Sequence, residues 1–429
     1  YVSVTYLMTT YFIRRILLMI PTFLGSTILI FVILQMAPGG PLERTIQQLQ
    51  AGAMQQGESV GSVGDIMSGG SSVLPESALR ELRRFYGFDK PVYQRYLIWL
   101  GVWPREIKHR EVKFSGDVKE VSKNVGRGTY MTLRLEGEQV GVYDKAGITS
   151  DIWKGAIDKE ASKDDNVVAT IFQTEFSGIL TGNLGTSYTY DQPVSEVMAP
   201  RFKVSMFFGL TGLFLSYIVC IPLGIRKALN HGSAFDFLSS VVVFAAYSIP
   251  GYALGMVLLV LLGGGSFWDI FPLGGFRSPT EIWETLSLWG KIKDQLWHMV
   301  LPIIAWSISS FAGLTILMKN SLLENISQDY IRTAFAKGLQ EKRVIWVHAI
   351  RNSIIPIASG IGGVIGVVIA GSYLIEKVFN IDGFGKMGFQ AILDRDYPIT
   401  LGFLVIVVVI RLVSNILSDI ALATVDPRI

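Results

Sequence analysis

The sequence is poor in cysteine and in histidine. Its only cysteine, Cys220, lies within an apolar run, so the chain cannot form a disulfide bond within itself. The four histidines, at positions 109, 231, 298 and 348, are scattered and show no H-x-x-x-H or similar spacing. A protein metal site of the zinc type needs several such ligands at short, regular spacings, so the sequence predicts no metal site.

Charged residues are also scarce. Asp, Glu, Lys and Arg make up 17% of the 429 residues, whereas hydrophobic residues make up 50%. Soluble domains carry about 25% charged residues, so this composition indicates a protein that lies partly in lipid. The formal net charge of +3 is too small to indicate a nucleic-acid partner.

Long apolar runs are abundant. A helix needs about 20 apolar residues to cross a bilayer, and several stretches reach that length. The first is expected to be an uncleaved span rather than a signal peptide, because it is long and is followed by "APGGP" rather than by a small-residue cleavage site. The sequence predicts an all-α transmembrane protein with about six spans. They are expected at residues 16–36, 204–225, 237–262, 299–318, 354–375 and 399–423.

Lys and Arg near the span ends predict the orientation. They precede the first run at Arg14 and Arg15, follow the second at Arg226 and Lys227, and are frequent in segment 319–352. Because Lys and Arg accumulate in cytoplasmic loops, all three regions are expected on the cytoplasmic side. The chain would then have both termini in the cytoplasm.

The long region between the first two runs is polar and is expected outside the membrane. Within residues 37–103, "QQLQAGAMQQGESVGSVGDIMSGGSS" is typical of a mobile loop. The stretch "LPESALRELRRFYG" predicts a short helix. In residues 104–176, Met131, Leu133 and Leu135 alternate with polar residues, which predicts a half-buried strand.

More strands are expected in the same insertion. A turn at "EGEQ" leads to a return strand with Val140 and Val142, and "NVVATIFQ" predicts a further strand. The sequence therefore divides into a first span at 1–36, an external loop at 37–103, a β-rich external insertion at 104–176 and a membrane core with five more spans at 177–429.

A glycine motif near the C-terminus raises the question of nucleotide binding. In "FNIDGFGKMGFQ", Gly383, Gly385 and Gly388 have the spacing G-x-G-x-x-G, with Lys386 among them. A dinucleotide-binding loop needs a strand before this motif and a helix after it. Here the motif follows a predicted membrane helix, is expected on the external side, and is accompanied by no G-x-x-x-x-G-K-[ST] motif. The sequence context therefore excludes the phosphate-binding interpretation.

The basic segment 319–352 is helical in character. Ile331, Ala334 and Phe335 share one face, Gly338 interrupts the pattern, and a second face begins at Val344. Two short helices that turn at a glycine form a projection, and its apolar face should meet a partner surface. An ordinary solvated basic loop is the alternative.

This segment resembles the signature of ABC importer permeases. In that signature an alanine-rich triplet is followed four residues later by a glycine, and then by a helix that enters the membrane. Here the triplet is Arg332-Thr333-Ala334 and the glycine is Gly338. Sugar importers have Glu-Ala-Ala and later Ile-x-Leu-Pro, whereas "DYIRTAFAKGLQEKRVIWVHAIRNSIIP" is similar to the oligopeptide and dipeptide importers.

Other stretches carry the same resemblance. They are "RRILLMIPTFLGSTILIFVILQMAPGGP", "YGFDKPVYQRYLIWL", "LIEKVFNIDGFGKMGFQAILDRDYP" and the terminal "VDPRI". The stretch "PLGIRKALNHGSAFDFLSSVVVFAAYSIPGY", together with "GGGSFWDIFPLGGF", is most similar to the YejB-type subgroup. The resemblance covers the chain except for about residues 104–174.

The resemblance implies a permease of the type I importer fold in the bacterial cytoplasmic (inner) membrane. Such a permease would import oligopeptides or dipeptides by alternating access. The implied partners are a sister permease in a heterodimer, two ABC ATPase subunits, an extracytoplasmic substrate-binding protein and the lipid bilayer. ATP and Mg²⁺ would bind to the ATPases, so no cofactor and no catalytic residue is expected in this chain.

Two alternatives stay open. The same architecture could import another solute, such as a nickel chelate, glutathione or a peptide-like antibiotic. A secondary transporter or a channel would be a different class of protein. A secondary transporter favours paired carboxylates within its spans, and the predicted spans show no such pair.

Two sets of residues are candidate functional residues. The sixth predicted span carries Arg411 at its middle, with Asn415 and Asp419 at i+4 and i+8, and a charge there should face protein or water. This stripe is either structural packing or a lining of the path. Gly338 could be a plain helix cap, and the basic residues could serve only the orientation bias. Residues expected to couple to the ATPases are Arg332, Thr333, Ala334, Lys337, Gly338, Arg343, His348 and Arg351, and candidates for the translocation path or gate are Glu376, Gly383, Gly385, Arg411 and Asn415.

Overall fold

The chain folds into two compact units. The computed structural model describes residues 2–37, positions 40, 42–43, 45–46, 79 and 82–84, and residues 87–425 except 116–117, 127–128, 138, 145–146, 159–161, 163–165 and 266. One unit comprises residues 1–37 and 186–429, and the other comprises residues 38–185. The mobile loop predicted at 47–72, most of the short helix predicted at 74–87 and the final residues 426–429 lie outside the described residues.

The smaller unit contains a six-stranded antiparallel sheet. Helix α1 (Val2–Met36) belongs to the larger unit. The smaller unit follows with α2 (Val92–Leu100) and then the strands in the order β1-β6-β5-β4-β3-β2 across the sheet. The strands are β1 (Arg105–Ser115), β2 (Glu120–Gly126), β3 (Thr129–Glu136), β4 (Gln139–Tyr143), β5 (Trp153–Ile157) and β6 (Asn166–Glu175).

The strand predictions for this unit are confirmed. Leu133 of β3 pairs with Val142 of β4 across the predicted turn, and both side chains are buried. Phe114 of β1 pairs with Val167 of β6. Apolar residues of alternating positions therefore form one core, because successive side chains of a strand point to opposite faces. The core also contains Trp153.

The larger unit is helical in its described residues. Its first helices after α1 are α3 (Val194–Leu229), α4 (Ala234–Ser248), α5 (Gly251–Leu262), the short α6 (Thr280–Thr285) and the long α7 (Leu288–Ile326). They are followed by α8 (Asp329–Ala336), α9 (Glu341–Arg343), a π-helical turn (Val344–Ala349), α10 (Ile350–Ser353), α11 (Ile355–Ala370), α12 (Tyr373–Val378), α13 (Phe384–Leu393) and α14 (Tyr397–Val425).

Four to six membrane spans are present among the described residues. Single helices long and apolar enough to cross a membrane are Thr10–Met36, Val194–Leu229, Glu341–Gly363 and Tyr397–Val425. Two bent pairs complete the set if each is one span: α4 with α5, bent by 93°, and the two parts of α7, bent by 52°. The prediction of a mainly helical membrane protein with about six spans is confirmed.

The third predicted span is not a continuous helix. It breaks at Ile249 and Pro250, between α4 and α5. Proline has no N–H to donate, and its ring disfavours the helical conformation of the preceding residue. Ile249 is accordingly extended, with φ −95° and ψ 121°. Average hydropathy over residues 237–262 does not reveal this break.

Small residues allow the membrane helices to pack closely. A Cβ atom added at Gly212 of α3 would lie 2.7 Å from the Trp306 ring of α7, and one at Gly224 would lie 2.7 Å from the Met318 side chain. Helix α11 approaches α14 in the same way, where the N–H of Gly362 donates to Ser418 Oγ at 2.9 Å. Glycine at helix crossings brings backbones together, which is a common way to pack helices in lipid.

Candidate functional site

Gly338 ends α8 in a left-handed conformation. Its φ is +77°, and a Cβ added there would have no heavy atom within 4 Å. The Gly338 N–H donates to the carbonyl of Phe335 at 2.9 Å, and the Leu339 N–H donates to that of Ala334 at 3.3 Å. This pair of bonds is the Schellman motif, which closes a helix with glycine because glycine tolerates positive φ. The predicted turn at Gly338 is confirmed, and it is a helix cap as well as a change of chain direction.

The buried face of α8 packs against the chain's own core. Ile331 is 2% exposed and Ala334 is 6% exposed, in a cluster with Met318 and Leu322 of α7 and Val344 of the π-helical turn. The prediction that Ala334 lies on an outward apolar face was therefore wrong. Its side chain is instead part of the chain's internal core.

The outward face of α8 is the opposite one. Phe335, grouped by sequence with the buried residues, is 45% exposed, and Tyr330 is 38% exposed. Arg332, Thr333 and Lys337 are exposed too. Arg332 pairs only loosely with Asp329, at 3.4 Å between two well-exposed side chains. The surface available to another protein is therefore aromatic and basic.

The segment after Gly338 returns directly to the membrane. Arg343 and Arg351 are exposed, whereas His348 is half-buried. No ion pair to Lys337, Arg343 or Arg351 occurs within the described part of the chain. Helix α7 continues to Ile326, so the non-membrane part of the predicted segment 319–352 is shorter than expected. Residues 327–340, from the end of α7 to the start of α9, are termed the coupling segment below.

The glycine motif binds an anion that belongs to the chain itself. Glu376 of α12 is 0% exposed, and its Oε2 accepts a hydrogen bond from the N–H of Lys386 at 2.6 Å. The backbone N–H of Gly385 also bonds this carboxylate. These two N–H groups are in the first turn of α13, where helix N–H groups have no partner within the helix and favour negative charge.

Gly383 is required by the same contact. A Cβ added at Gly383 would lie 2.6 Å from either carboxylate oxygen of Glu376. Ser205 of α3 completes the site: its hydroxyl donates to Glu376 Oε1 at 2.8 Å and accepts from the N–H of Phe384 at 2.7 Å. We call Ser205, Glu376 and Gly383–Lys386 the carboxylate lock.

The carboxylate lock joins three helices. It links α3, α12 and the start of α13, and Glu376 lies outside the candidate membrane spans. Burial raises the pKa of Glu376, although hydrogen bonds from Lys386, Ser205 and Gly385 oppose that shift. Glu376, Gly383 and Gly385 thus do not line an open path in this conformation. They form an enclosed carboxylate site that connects α12 and α13 to α3.

A second buried charge cluster was missed by sequence reasoning. Asp236, in the first turn of α4, is 6% exposed and accepts from Lys319 Nζ at 2.7 and 2.8 Å. Lys227 of α3 is 1% exposed; its Nζ lies 3.2 Å from Asp236 and donates to the hydroxyls of Ser239 and Ser240. We call Lys227, Asp236 and Lys319 the charge cluster. It joins α3, α4 and α7.

The predicted polar stripe on α14 is divided. Asp419 pairs with Arg15 of α1 at 3.2 Å, which brings the first half of α1 beside the last two turns of α14. Arg411 and Asn415 are exposed on the single chain. Only Asp419 therefore has the helix-packing role that was one of the two interpretations of the stripe.

Comparison with known proteins identifies the family. The family described as "Binding-protein-dependent transport system inner membrane component" matches residues 220–429. The chain is 34% identical over 423 residues to the peptidoglycan transport system permease protein YejB of Agrobacterium fabrum, with 98% of each chain covered.

Two further relatives match over the full length. Identity is 32% over 437 residues to the inner membrane ABC transporter permease protein YejB of Escherichia coli O157:H7. It is 27% over 436 residues to the dipeptide transport system permease protein DppB of Escherichia coli K12. Each alignment covers 98% of this chain and 99% of the relative. The chain therefore belongs to the binding-protein-dependent ABC importer permeases and is a multi-pass protein of the inner membrane.

Proposed function

We propose that this chain is one of two sister permeases in an ATP-driven importer of short peptides. An extracytoplasmic binding protein delivers the peptide, and two ABC ATPases that bind ATP and Mg²⁺ drive the transport cycle. The observation that carries the peptide assignment is the similarity over 98% of the chain to relatives whose names specify dipeptide and peptidoglycan transport. The match extends over nearly the full length of each relative and is not limited to a shared membrane segment.

The geometry of the coupling segment supports its role as the ATPase contact. Tyr330, Phe335 and Lys337 are exposed and offer aromatic and basic groups to a partner surface. Ile331 and Ala334, on the other face, are buried in one core cluster with residues from the ends of α3 and α7. A movement of α8 in an ATPase groove would be passed to two membrane helices through this packing, since packed cores move as units rather than deform continuously.

The basic residues of this region have a matching role. Arg332, Lys337, Arg343 and Arg351 would pair with acidic groups of the ATPases, and Thr333 lies on the same exposed face. His348 is half-buried and would support the turn that returns to the membrane. Ala334 contributes by packing against α7, not by touching the partner.

The remaining candidate residues are proposed to line the translocation path or to form its gate. Arg411 and Asn415 are exposed within a membrane span, where a bare charge facing lipid is costly, so they face the water-filled path or the sister permease. The carboxylate lock fixes α12 and α13 to α3 and would act as a gate hinge. Both termini and the coupling segment are cytoplasmic in this proposal, and residues 40–201 are external, as the Lys and Arg distribution favours.

Uptake by the reconstituted complex tests the proposal. The permease, its sister permease, both ATPases and the binding protein are placed in proteoliposomes, and ATP-dependent uptake of radiolabelled Ala-Phe is measured. We expect the uptake to require ATP and the binding protein. Unlabelled dipeptides should inhibit it by competition. A complex that accumulates a nickel chelate or glutathione but no peptide would overturn the peptide assignment.

A further inference from the structure

A cavity lies among α3, α7 and α11. Its volume is about 210 Å³, and its walls include Tyr217 of α3, Trp306 and Gly313 of α7, and Pro356 and Gly360 of α11. None of these five residues is a member of the coupling segment, the carboxylate lock or the charge cluster. The cavity is lined mainly by apolar atoms, and the hydroxyl-bearing residues Ser216, Tyr217 and Ser310 contribute to its walls.

Helix α7 borders the cavity where its direction changes. Its two parts, Leu288–Ile308 and Ser310–Ile326, are inclined by 52°, and Ser310 and Gly313 both line the cavity. The helix is continuous from Leu288 to Ile326, so the cavity lies beside a bent helix rather than a broken one.

Two glycines leave the cavity open on opposite walls. A Cβ added at Gly313 or at Gly360 would have no heavy atom within 4 Å. Gly362, two residues after Gly360, faces α14 through its bond to Ser418, so Gly360 points to the other side of α11. The space beside Gly360 is therefore not needed for the packing of α11 on α14, and the cavity opens outward at both glycines, which are exposed on the single chain.

The size of the cavity limits what it can hold. An apolar cavity of about 150 Å³ can hold a benzene molecule. A space of about 210 Å³ accordingly takes one aromatic or branched aliphatic side chain, but not a whole dipeptide. The Trp306 ring and the aliphatic wall favour an apolar occupant, and the few hydroxyls suit the polar backbone next to it.

We infer that this cavity receives one apolar side chain of a peptide in transit, and so makes the permease itself selective. The inference rests on the proposed peptide import. In this arrangement the binding protein does not alone determine the cargo: peptides with a bulky apolar side chain gain an extra contact within the membrane, whereas glycine- and alanine-only peptides do not.

Cavity-filling substitutions test the inference by transport. Gly313→Leu and Gly360→Leu each place a side chain in open space. Uptake of Ala-Phe and Ala-Leu should fall at least about tenfold relative to Ala-Ala, as expected when a buried side-chain contact is lost. Gly25→Leu in α1 is the matched control, because a Cβ there also has no heavy atom within 4 Å and Gly25 does not line the cavity.

The outcomes separate this inference from the proposed function. Unchanged ratios of Ala-Phe to Ala-Ala uptake, or an equal loss of both peptides in a complex that still contains its ATPases, would overturn the side-chain site while peptide import stands. No uptake of any peptide by the wild-type complex would overturn the proposed function instead.

Cross-linking of the wild-type complex gives a second test that does not depend on a variant folding. A dipeptide with a benzophenone side chain is irradiated in the transporting complex, and the adducts are mapped by mass spectrometry. Adducts should fall within residues 306–317 and 356–360 and should be competed by Ala-Phe more strongly than by Ala-Ala. Adducts confined to lipid, to the sister permease or to other segments would contradict the inference.

Discussion

At the scale of single residues, Gly338 has a left-handed conformation that residues other than glycine rarely adopt. Its φ of +77° closes α8 and starts the return to the membrane, and a Cβ added there would have no heavy atom within 4 Å. A substitution is therefore expected to act mainly through the backbone conformation. The cost of placing a non-glycine residue in the left-handed region is about 1–2 kcal/mol.

Gly338→Val should uncouple the importer without removing it from the membrane. A cost of that size is too small to unfold a helix bundle but large enough to shift α8 on its partner. Membrane amounts measured by immunoblotting should be near normal, whereas ATPase co-purification or peptide uptake per ATP should fall. Gly338→Asn is the control, since Asn tolerates positive φ better. Full uptake and normal ATPase binding by Gly338→Val would exclude a coupling role for this turn.

Glu376 makes the stability of the protein depend on pH. Burial raises the pKa of Glu376, so near and above its ordinary pKa of about 4.3 the folded protein holds a proton that the unfolded chain has lost. Its contribution to stability is therefore complete below the unfolded pKa and decreases as pH rises through the folded pKa. This direction is the reverse of that for a carboxylate in an exposed ion pair.

The unfolding temperature of purified protein between pH 4 and pH 8 measures this effect. As pH rises from about 4.3, the unfolding temperature of the wild type should decrease relative to that of Glu376→Gln, because glutamine does not titrate. The absolute unfolding temperature of Glu376→Gln is not the readout, since the amide replaces an acceptor in the carboxylate lock. Glu281→Gln, at an exposed position in α6, reports the background. A difference that is constant with pH, or that grows in the opposite direction, would refute the argument.

At the scale of helices, the charge cluster fixes three helix ends to one another. Asp236 is the common partner of Lys227 and Lys319, and the two lysines come from α3 and α7. The negative side chain also lies in the first turn of α4, where the helix dipole favours it. Since α3 and α7 also hold α8, the charge cluster and the coupling segment depend on the same two helices.

Asp236→Asn should destabilise the protein severely. It leaves Lys227, which is 1% exposed, without its ionic partner, and removing one member of a buried pair costs about 3–5 kcal/mol. Lower yield and a lower unfolding temperature in detergent are expected. The double variant Asp236→Asn with Lys227→Met should recover part of the loss, because the charge that is only 1% exposed is then absent and only the more exposed Lys319 remains without its partner. Lys342→Gln, at an exposed basic position, should change the free energy of unfolding by no more than about 0.5 kcal/mol.

Local patterns predicted the elements but not their long-range partners. The alternation at Met131, Leu133 and Leu135 predicted a strand, and apolar length predicted the spans, because both signals lie within one element. The contact between Asp236 and Lys319 joins residues 83 positions apart, and neither residue differs by type from an ordinary charge at a span end. Its only sequence signal was an acidic residue next to an apolar run.

The glycine motif shows that a sequence pattern can indicate an anion site at a helix N-terminus without identifying the anion. The backbone N–H groups of Gly385 and Lys386 do hold an anion at a helix N-terminus, as the motif suggests, but the anion is Glu376 of the same chain. The sequence context argued against a nucleotide, but it could not show that a carboxylate of the same chain folds back onto the motif. The face of α8 that contains Ala334 was misassigned for a similar reason. An apolar face in the sequence does not distinguish packing within the chain from packing against a partner protein.

At the scale of the whole molecule, the proposed orientation can be tested by chemical labelling. Cys220 is fully buried, and Cys220→Ser gives a background without cysteine. Tyr130→Cys lies at a position that is 48% exposed in β3, and Gln340→Cys lies at the exposed end of the coupling segment. A membrane-impermeant maleimide should label position 130 in intact spheroplasts and position 340 only after permeabilisation. The reverse pattern would invert the topology and contradict the proposed function.

The β-rich insertion can be removed as one piece. A Cβ added at Gly178 would lie 2.6 Å from Gly101 Cα, so the chain enters and leaves the sheet at nearly the same place. The strands have their own core around Leu133 and Trp153. A short Gly/Ser linker in place of residues 105–176 should therefore leave the membrane helices intact.

If the insertion seats the binding protein or guides the peptide, its loss should affect only the stimulated reaction. The excised complex should keep basal ATPase activity and lose stimulation by the binding protein and most uptake. Leu133→Ala tests the same role within the full chain: Leu133 is 0% exposed, and such a truncation costs about 2–5 kcal/mol, enough to unfold a small sheet. It should reproduce the loss, whereas Tyr130→Ala, at a half-exposed position in the same strand, should not abolish sheet folding. Full stimulation and uptake in both the excised and the Leu133→Ala complexes would mean that the six strands are an addition without a part in transport, because neither their presence nor their fold would then matter to the cycle.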